Sequence, residues 1–400
     1  MFMMFRQIYN KGIPLQMIHM KKRIQRIMES SDETRIFSSE FFLYALSFCY
    51  SGALRLRRIF YKKNILKPRK LPCFVISIGN ITLGGTGKTP MTIYIANMLK
   101  DLGFKVVVLT RGYKGKAEKT GGIVSDGTKV LMDPNHAGDE PFMMAATLSK
   151  IPVIVGKDRF RAGMIAVRRF HPHVIILDDA FQHLQIVRDI NLVLLDHDRP
   201  LGNQHVVPRG TMREDISALL SAHAFIFTRS SIKDTPYLKE FKILLKNKPV
   251  FKSFHVPYIA KALKKNTRAK RLQIQDQRSF ISGSQILKNR KVFAFSGICK
   301  NNEFLRTVRE FNCQVVGFRG FPDHYKYSVH DLEQLTQSAI KARADVIVTT
   351  QKDYVRISHK TTWPTDLVVV GVEIAFNEKQ ADFSSFLTAE LKKTDSGHKT

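Results

Sequence analysis

Short apolar, β-branched runs alternating with amphipathic stretches predict an α/β protein with a parallel sheet covered by helices. A glycine-rich loop between the first such strand and the first such helix predicts what its strand ends bind. A second alternating series, after a polar interval, predicts a smaller α/β domain. In the first series strands are expected at residues 74–78, 106–109, 153–155, 174–177, 192–195 and 225–227. Their shortness and unbroken apolar character suit strands buried on both faces. Helices are expected at residues 90–102, 140–149, 159–170 and 213–221. The second series places strands at 292–295, 314–318, 346–349 and 367–372, with helices near 303–311 and 329–342.

Of the 400 residues 44% are hydrophobic and 24% charged, the balance of a globular chain long enough for two domains. Charge is the outlier. Sixty-four Lys and Arg stand against 34 Asp and Glu, a formal net charge of +30. Such a field attracts polyanions, whether nucleic acid, anionic membrane or phosphorylated substrates. Much of the excess precedes Lys70, and another cluster is KALKKNTRAKR at 261–271. Cys49, Cys73, Cys299 and Cys313 form no CxxC pair, so a structural zinc is not expected and a reducing compartment fits.

No run of about 20 apolar residues occurs, which argues against a transmembrane helix. FFLYALSFCYSGAL at 41–54 is apolar but short, and RLRRIFYKK follows at 55–63. That order suits a helix lying in a membrane interface with its cations on anionic headgroups. The expected organisation is a basic extension at 1–37, a membrane-associated helix at 38–65, a P-loop domain at 66–230 and a smaller α/β domain at 231–400. The change of domain is expected between Ser230 and Phe251, with 230–248 polar and partly helical and 261–277 a basic loop or insertion.

TLGGTGKT at 82–89 matches the phosphate-binding pattern GxxxxGK[ST], except that Thr82 replaces the first glycine. Together with Leu83 and Thr86, Gly84, Gly85 and Gly87 let backbone N–H groups wrap nucleotide phosphates. Lys88 adds a point charge, Thr89 offers a hydroxyl to Mg²⁺, and the helix that follows adds its dipole. The loop alone does not separate ATP from GTP, or a kinase from an NTPase.

Asp178 and Asp179 end a buried strand, where a P-loop protein places its Mg²⁺ ligand or water anchor. Asp139, in AGDEP, stands at a helix start, as a cap or as a catalytic carboxylate. Arg111, Arg159, Arg161 and Arg213 are candidates for phosphate or substrate contact, since guanidinium forks suit phosphate oxygens. His183 reads equally as structural or chemical.

These motifs, taken in order, resemble the tetraacyldisaccharide 4′-kinases, the lipid A 4′-kinase family. The resemblance is carried by GNITLGGTGKTP at 79–90, RGY at 111–113, GDEP at 138–141, HPHVIILDDAFQH at 171–183 and RE at 213–214. SGI at 296–298, FPDHYKY at 321–327 and TQKD at 350–353 continue it. It implies a P-loop NTPase-like domain with a second, smaller α/β domain and an N-terminal membrane-associated helix. It implies ATP- and Mg²⁺-dependent phosphorylation of a lipid A disaccharide precursor, with the chain peripheral on the cytoplasmic face of the bacterial inner membrane. It further implies Asp139 as base assisted by His324, Lys88 on the phosphates, and Asp178 and Asp179 on Mg²⁺. Two positions depart from the family pattern: Ala180 where Gly is usual, expected to tighten the backbone after the acidic pair, and Gln351 where Glu is usual.

A GTPase would need N/T-K-x-D, but here Lys352 and Asp353 are adjacent. A nucleic-acid-dependent ATPase is suggested by charge alone, without an RNP-like or zinc module. The alternative kept is a membrane-associated P-loop NTPase acting on another anionic lipid or on nucleic acid. No nucleic acid and no stable protein partner are expected.

Overall fold

A computed structural model describes residues 23–24, 27–28, 39–230, 248–265, 284–357 and 362–396. Two sheets organise it. The larger is built from β1 (Phe74–Asn80), β2 (Val106–Thr110), β3 (Gly122–Ser125), β4 (Val153–Val155), β5 (Val174–Asp178), β6 (Ile190–Asp196), β7 (Ala224–Thr228) and β8 (Val250–Lys252). Their spatial order is β3-β4-β2-β5-β1-β6-β7-β8, parallel throughout except for β3 at one edge. β1 and β5, the strands that carry the loop and the acidic pair, lie side by side, with Ile78 opposite Asp178. Every residue of β1, β2, β5, β6 and β7 is buried, as two covered faces require.

Helices α1 (Ser39–Lys62), α2 (Lys88–Asp101), α3 (Asp139–Thr147) and α4 (Arg159–Phe170) accompany this sheet. α2 buries Met91, Ile95, Ala96 and Leu99 against it. α1 docks by polar contacts: the Ser47 hydroxyl donates to Val206 O at 2.7 Å, and Arg58 pairs with Glu214 at 2.8 Å. Phe41, Phe42, Tyr44, Phe48, Tyr50, Leu56 and Ile59 of α1 stay exposed, Phe48 at 72%. Among the described residues no helix is long and apolar enough to cross a membrane.

The smaller sheet contains β9 (Phe254–Leu263), β10 (Lys291–Ser296), β11 (Gln314–Gly320), β12 (Val346–Thr350) and β13 (Asp366–Ala375), in the order β11-β10-β12-β13-β9. It is parallel but for β9, which runs against β13. Helices α5 (Asn301–Arg309), α6 (Val329–Lys341) and α7 (Gln351–Ile357) belong to it, and α8 (Gln380–Ser396) follows β13. α6 begins with a capping box between Ser328 and Asp331.

Several expectations need correction. Most of the expected domain change, 231–247, lies outside the described residues, but β8 after it still pairs with β7 in the first sheet. The chain also returns: Phe376, Phe383, Leu387 and Leu391 bury themselves in the first sheet's core. The stretch 213–221 is not an α-helix. Arg213 N donates to Ile81 O, and only a 3₁₀ turn forms at Ile216–Ser221, capped by Asp215. Of the basic stretch expected as a loop, Lys261–Leu263 end β9, and 266–277 lies outside the described residues. β9 is hidden in the sequence because Pro257 interrupts it and its faces are only half-buried, as an edge strand permits.

Candidate active site

The loop after β1 and the ends of β2 and β5 face a cleft of about 1500 Å³ between the two sheets. The loop enters it as expected: Thr82, Leu83, Gly84, Gly85, Thr86, Gly87, Lys88 and Thr89 all line it. Gly84 and Gly87 take φ of 110° and 78°, the left-handed region that glycine adopts without a Cβ penalty. A Cβ on Gly87 would also sit 2.9 Å from His255 Nε2. Burial pushes the His255 imidazole down to about 4, with Arg229 and Lys300 adding to it. Lys88 Nζ donates to Asn80 Oδ1 at 3.1 Å and lies 3.7 Å from Asp179 Oδ1.

Asn80 is a hub that lies within the recognised 79–90 motif but is not among the site residues that the sequence predicts. Its Nδ2 donates to Thr82 O, its Oδ1 accepts from Lys88 and Arg213, and its carbonyl accepts from Gln182. It locks the loop's entry to the strand end behind the acidic pair. Arg229 is another residue that the sequence does not predict. It donates to Gly85 O at 2.8 Å and pairs with Asp196, which Lys300 also reaches at 2.7 Å from the second sheet. A lone Arg after a strand carries no motif, so neither contact is visible in one dimension.

The two acids of β5 have unlike surroundings. Asp178 is 2% exposed and accepts from the Thr92 and Thr110 hydroxyls at 3.0 and 3.2 Å. Burial, then the neighbouring charges of Asp179 and Glu140, push its carboxyl up to about 6. Asp179 takes φ 48°, which turns its side chain toward cations. Burial alone would raise it, but Lys88 and Arg213, the latter at 2.7 Å, hold it well below the usual carboxylate range. Asp178 and Asp179, with Thr89, fit a Mg²⁺ site on chemical grounds. They are hard oxygen donors beside the loop, and the charge of Asp178 is costly until a cation meets it. Among the described residues no group of three or more His, Cys, Asp and Glu could hold a metal alone. Mg²⁺ commonly takes one or two carboxylates with substrate phosphates.

The expected arginines divide. Arg213 lines the cleft and bridges Asp179 and Asn80. Arg111 lines it too, paired with Glu118 at 2.7 Å. Arg159 does not reach it. At 3% exposed, it spends its guanidinium on Gly156 O and Asp178 O, so it braces the end of β5 instead of meeting a substrate. His183 is half-buried with its enclosed Nε2 unpaired, and desolvation pushes the imidazole down to about 4.

Asp139 opens α3, and its N-cap, Gly138, has φ 92°. His324, from the loop after β11, brings Nδ1 to 3.4 Å from Asp139 Oδ2 across 185 residues of chain. Tyr113 meets the His324 ring edge-on at 5.9 Å. Burial works against the Asp139 charge, yet the His324 bond and the Arg356 charge lower it to about 2. Glu140, beside it, is paired with Lys352 at 2.9 Å. Neither Lys352 nor Arg356 is among the site residues that the sequence predicts. Lys352 lies within a recognised motif, but Arg356 has no signal at all.

A glycine-rich loop wrapped between β1 and α2, its lysine facing a strand-end acid, defines a P-loop nucleotide-binding α/β protein. The family model for tetraacyldisaccharide-1-P 4′-kinase matches residues 39–392. A tetraacyldisaccharide 4′-kinase of Desulfatibacillum aliphaticivorans is 36% identical over 381 residues, 94% of this chain and 99% of the relative. One of Syntrophus aciditrophicus is 38% identical over 352 residues, 85% and 91% of the two chains. A crystal structure of LpxK from Aquifex aeolicus in complex with ATP superposes with a TM-score of 0.69 at 28% identity, covering 88% of this chain and all of that one. The chain belongs to the tetraacyldisaccharide 4′-kinase family.

Proposed function

We propose that the protein transfers the γ-phosphoryl group of ATP to the 4′-hydroxyl of a tetraacyldisaccharide 1-phosphate, with Asp139 accepting the hydroxyl proton and His324 orienting that carboxylate. The observation that carries this reading is the meeting of Asp139 and His324, one from each sheet's domain, beside a cleft whose other wall is the phosphate loop. Phosphoryl transfer asks mainly for positioning and for neutralisation of phosphate charge. Lys88, the N–H groups of the loop and the start of α2 supply that charge. In this reading Arg213 and Arg111, which line the cleft, add guanidinium contacts to phosphate. Thr89, Asp178 and Asp179 would hold Mg²⁺, which would supply further neutralisation of phosphate charge. The carboxylate of Asp139, held ionised, is ready to take a proton as the hydroxyl attacks.

Helix α1 lies in the membrane interface in this reading. Its exposed aromatic residues enter the headgroup region, and the basic end beyond the ion-paired Arg55 and Arg58 meets anionic lipid through Lys62 and Lys63. A peripheral position on the cytoplasmic face of the inner membrane suits a substrate with acyl chains and an ATP-consuming site. Replacing Phe42 and Phe48 with Ser is expected to weaken binding to anionic vesicles by at least about 10-fold, since each buried aromatic contributes about 1.5–3 kcal/mol. Vesicle co-sedimentation measures it, and unchanged binding removes α1 from the membrane.

The chemical test is purified protein in detergent with ATP, Mg²⁺ and tetraacyldisaccharide 1-phosphate, read by mass spectrometry. One added phosphoryl group, lost in Lys88→Ala, is the expected result. Well-folded, ATP-binding protein that makes no product would point to another acceptor, anionic lipids being tried before nucleic acid.

A further inference from the structure

Helix α7 presents two cations one turn apart, Lys352 and Arg356, to the two acids that open α3. Lys352 Nζ bonds Glu140 Oε1 at 2.9 Å and Asp323 Oδ1 at 3.2 Å. Arg356 Nε bonds Asp139 Oδ2 at 2.8 Å, well inside the 3.4 Å from His324 Nδ1 to the same oxygen. The tightest grip on the proposed base therefore comes from an arginine, not from the histidine.

We propose that Arg356 is a positioning residue for phosphoryl transfer: it fixes the rotation of the Asp139 carboxylate, so that Oδ2 is held by Arg356 and His324 and Oδ1 is the oxygen turned to the acceptor hydroxyl. This rests on the reading of Asp139 as base.

Arg356 is built to be rigid. It is 8% exposed, and its NH1 donates to Gly297 O and Asp353 Oδ1, both at 3.0 Å. Asp353 is pinned in turn by Gly297 N at 3.0 Å, the Tyr327 hydroxyl at 3.0 Å and the Thr350 hydroxyl at 2.7 Å. A guanidinium so anchored cannot follow Asp139, so Asp139 must conform to it. A planar fork that is always charged is suited to this; a flexible ammonium is not. The bonds also select a histidine tautomer. Lys352 can only donate, and its Nζ lies 3.4 Å from His324 Nε2. With the Nε2 lone pair facing Lys352, the ring proton sits on Nδ1 and points at Asp139. The 3.4 Å approach of Arg356 NH2 to Nδ1 is then a contact between two donors, not a bond. All the anchors of Arg356 lie in the second sheet's domain, while Asp139 lies in the first, so the arginine is also how one domain sets the geometry of the other's base.

The test is Arg356→Gln and Arg356→Lys, with kcat and KM for both substrates, melting temperature and ATP binding measured on each. R356Q is expected to lose about 10- to 100-fold in kcat, the scale of a misplaced catalytic group, while both KM values stay within about threefold. R356K keeps the charge but not the fork, so it recovers part of that loss. If R356Q does not fold, R356K carries the test, and its kcat must still fall below wild type. Intact kcat in both variants overturns the proposal. So does a rise in KM with kcat unchanged, which would make Arg356 a substrate contact. Asp139→Asn separates the two readings. Turnover retained in D139N removes Asp139 as base, whereas an inactive D139N beside a fully active R356Q removes only the positioning role of Arg356.

Discussion

Asp178 and Asp179 sit side by side at the end of β5, Asp139 and Glu140 side by side at the start of α3, and the two pairs are handled by opposite means. In the strand-end pair the neighbours split. Asp178 faces inward to two threonine hydroxyls and is pushed up to about 6, whereas Asp179 faces Lys88 and Arg213 and is held down. In the helix-start pair each acid has its own cation from α7, and both are held down. The first pair keeps one charge uncompensated, ready for a cation. The second has its charges neutralised by protein and is ready to be aimed. Adjacent carboxylates in sequence thus become different chemical tools according to what the tertiary fold sets opposite them.

The largest effect should come from Asp139→Asn, with turnover reduced about 10³-fold and nucleotide still bound, since a positioned base contributes on that scale. Turnover close to wild type would place the base elsewhere and dissolve the contrast. Asp179→Asn should follow, with kcat down about 10²-fold, because Lys88 and Arg213 lose the acid that orders them beside the glycine-rich loop. ATP affinity that collapses while kcat survives would reassign Asp179 to binding.

Asp178→Asn should act on stability, with a definite sign. A carboxyl raised from 3.8 to about 6 in the fold disfavours folding once ionised. Its penalty is absent below about pH 4, grows through the window up to about pH 6, and is full above it, at about 1–3 kcal/mol. Without Mg²⁺, D178N should therefore melt higher than wild type above pH 6, and the advantage should shrink on acidification. A difference independent of pH would mean that Asp178 is not buried as a charge. Smallest of all, Ala180→Gly should cost up to about 1 kcal/mol in thermal unfolding. Ala180 is fully buried and its N–H donates to Ile78 O at 3.1 Å. The positive φ after β5 belongs to Asp179, so no glycine is required at 180 and the expected tightening there does not arise.

Much of this was legible in one dimension, and the limits have causes. β1, β2 and β4–β7 were readable because strands buried on both faces must be continuously apolar. β3, β8 and β9 were not, since short or edge strands lie half in solvent and tolerate Gly122 or Pro257. The phosphate loop was readable because its chemistry is local: glycines, a lysine and a hydroxyl within eight positions. Arg159 was misjudged as a substrate contact because sequence cannot tell a buried bracing guanidinium from an exposed one.

The sequence by itself determined the strands covered on both faces, the glycine-rich loop and the positions of the acids, because strand burial and loop wrapping depend on neighbours along the chain. Only the tertiary structure decided which acid is uncompensated, which arginine faces the cleft and which holds Asp139. Those outcomes depend on charges brought within about 3 Å across up to 217 residues of chain, where burial and Coulomb attraction act through space and leave no periodic trace.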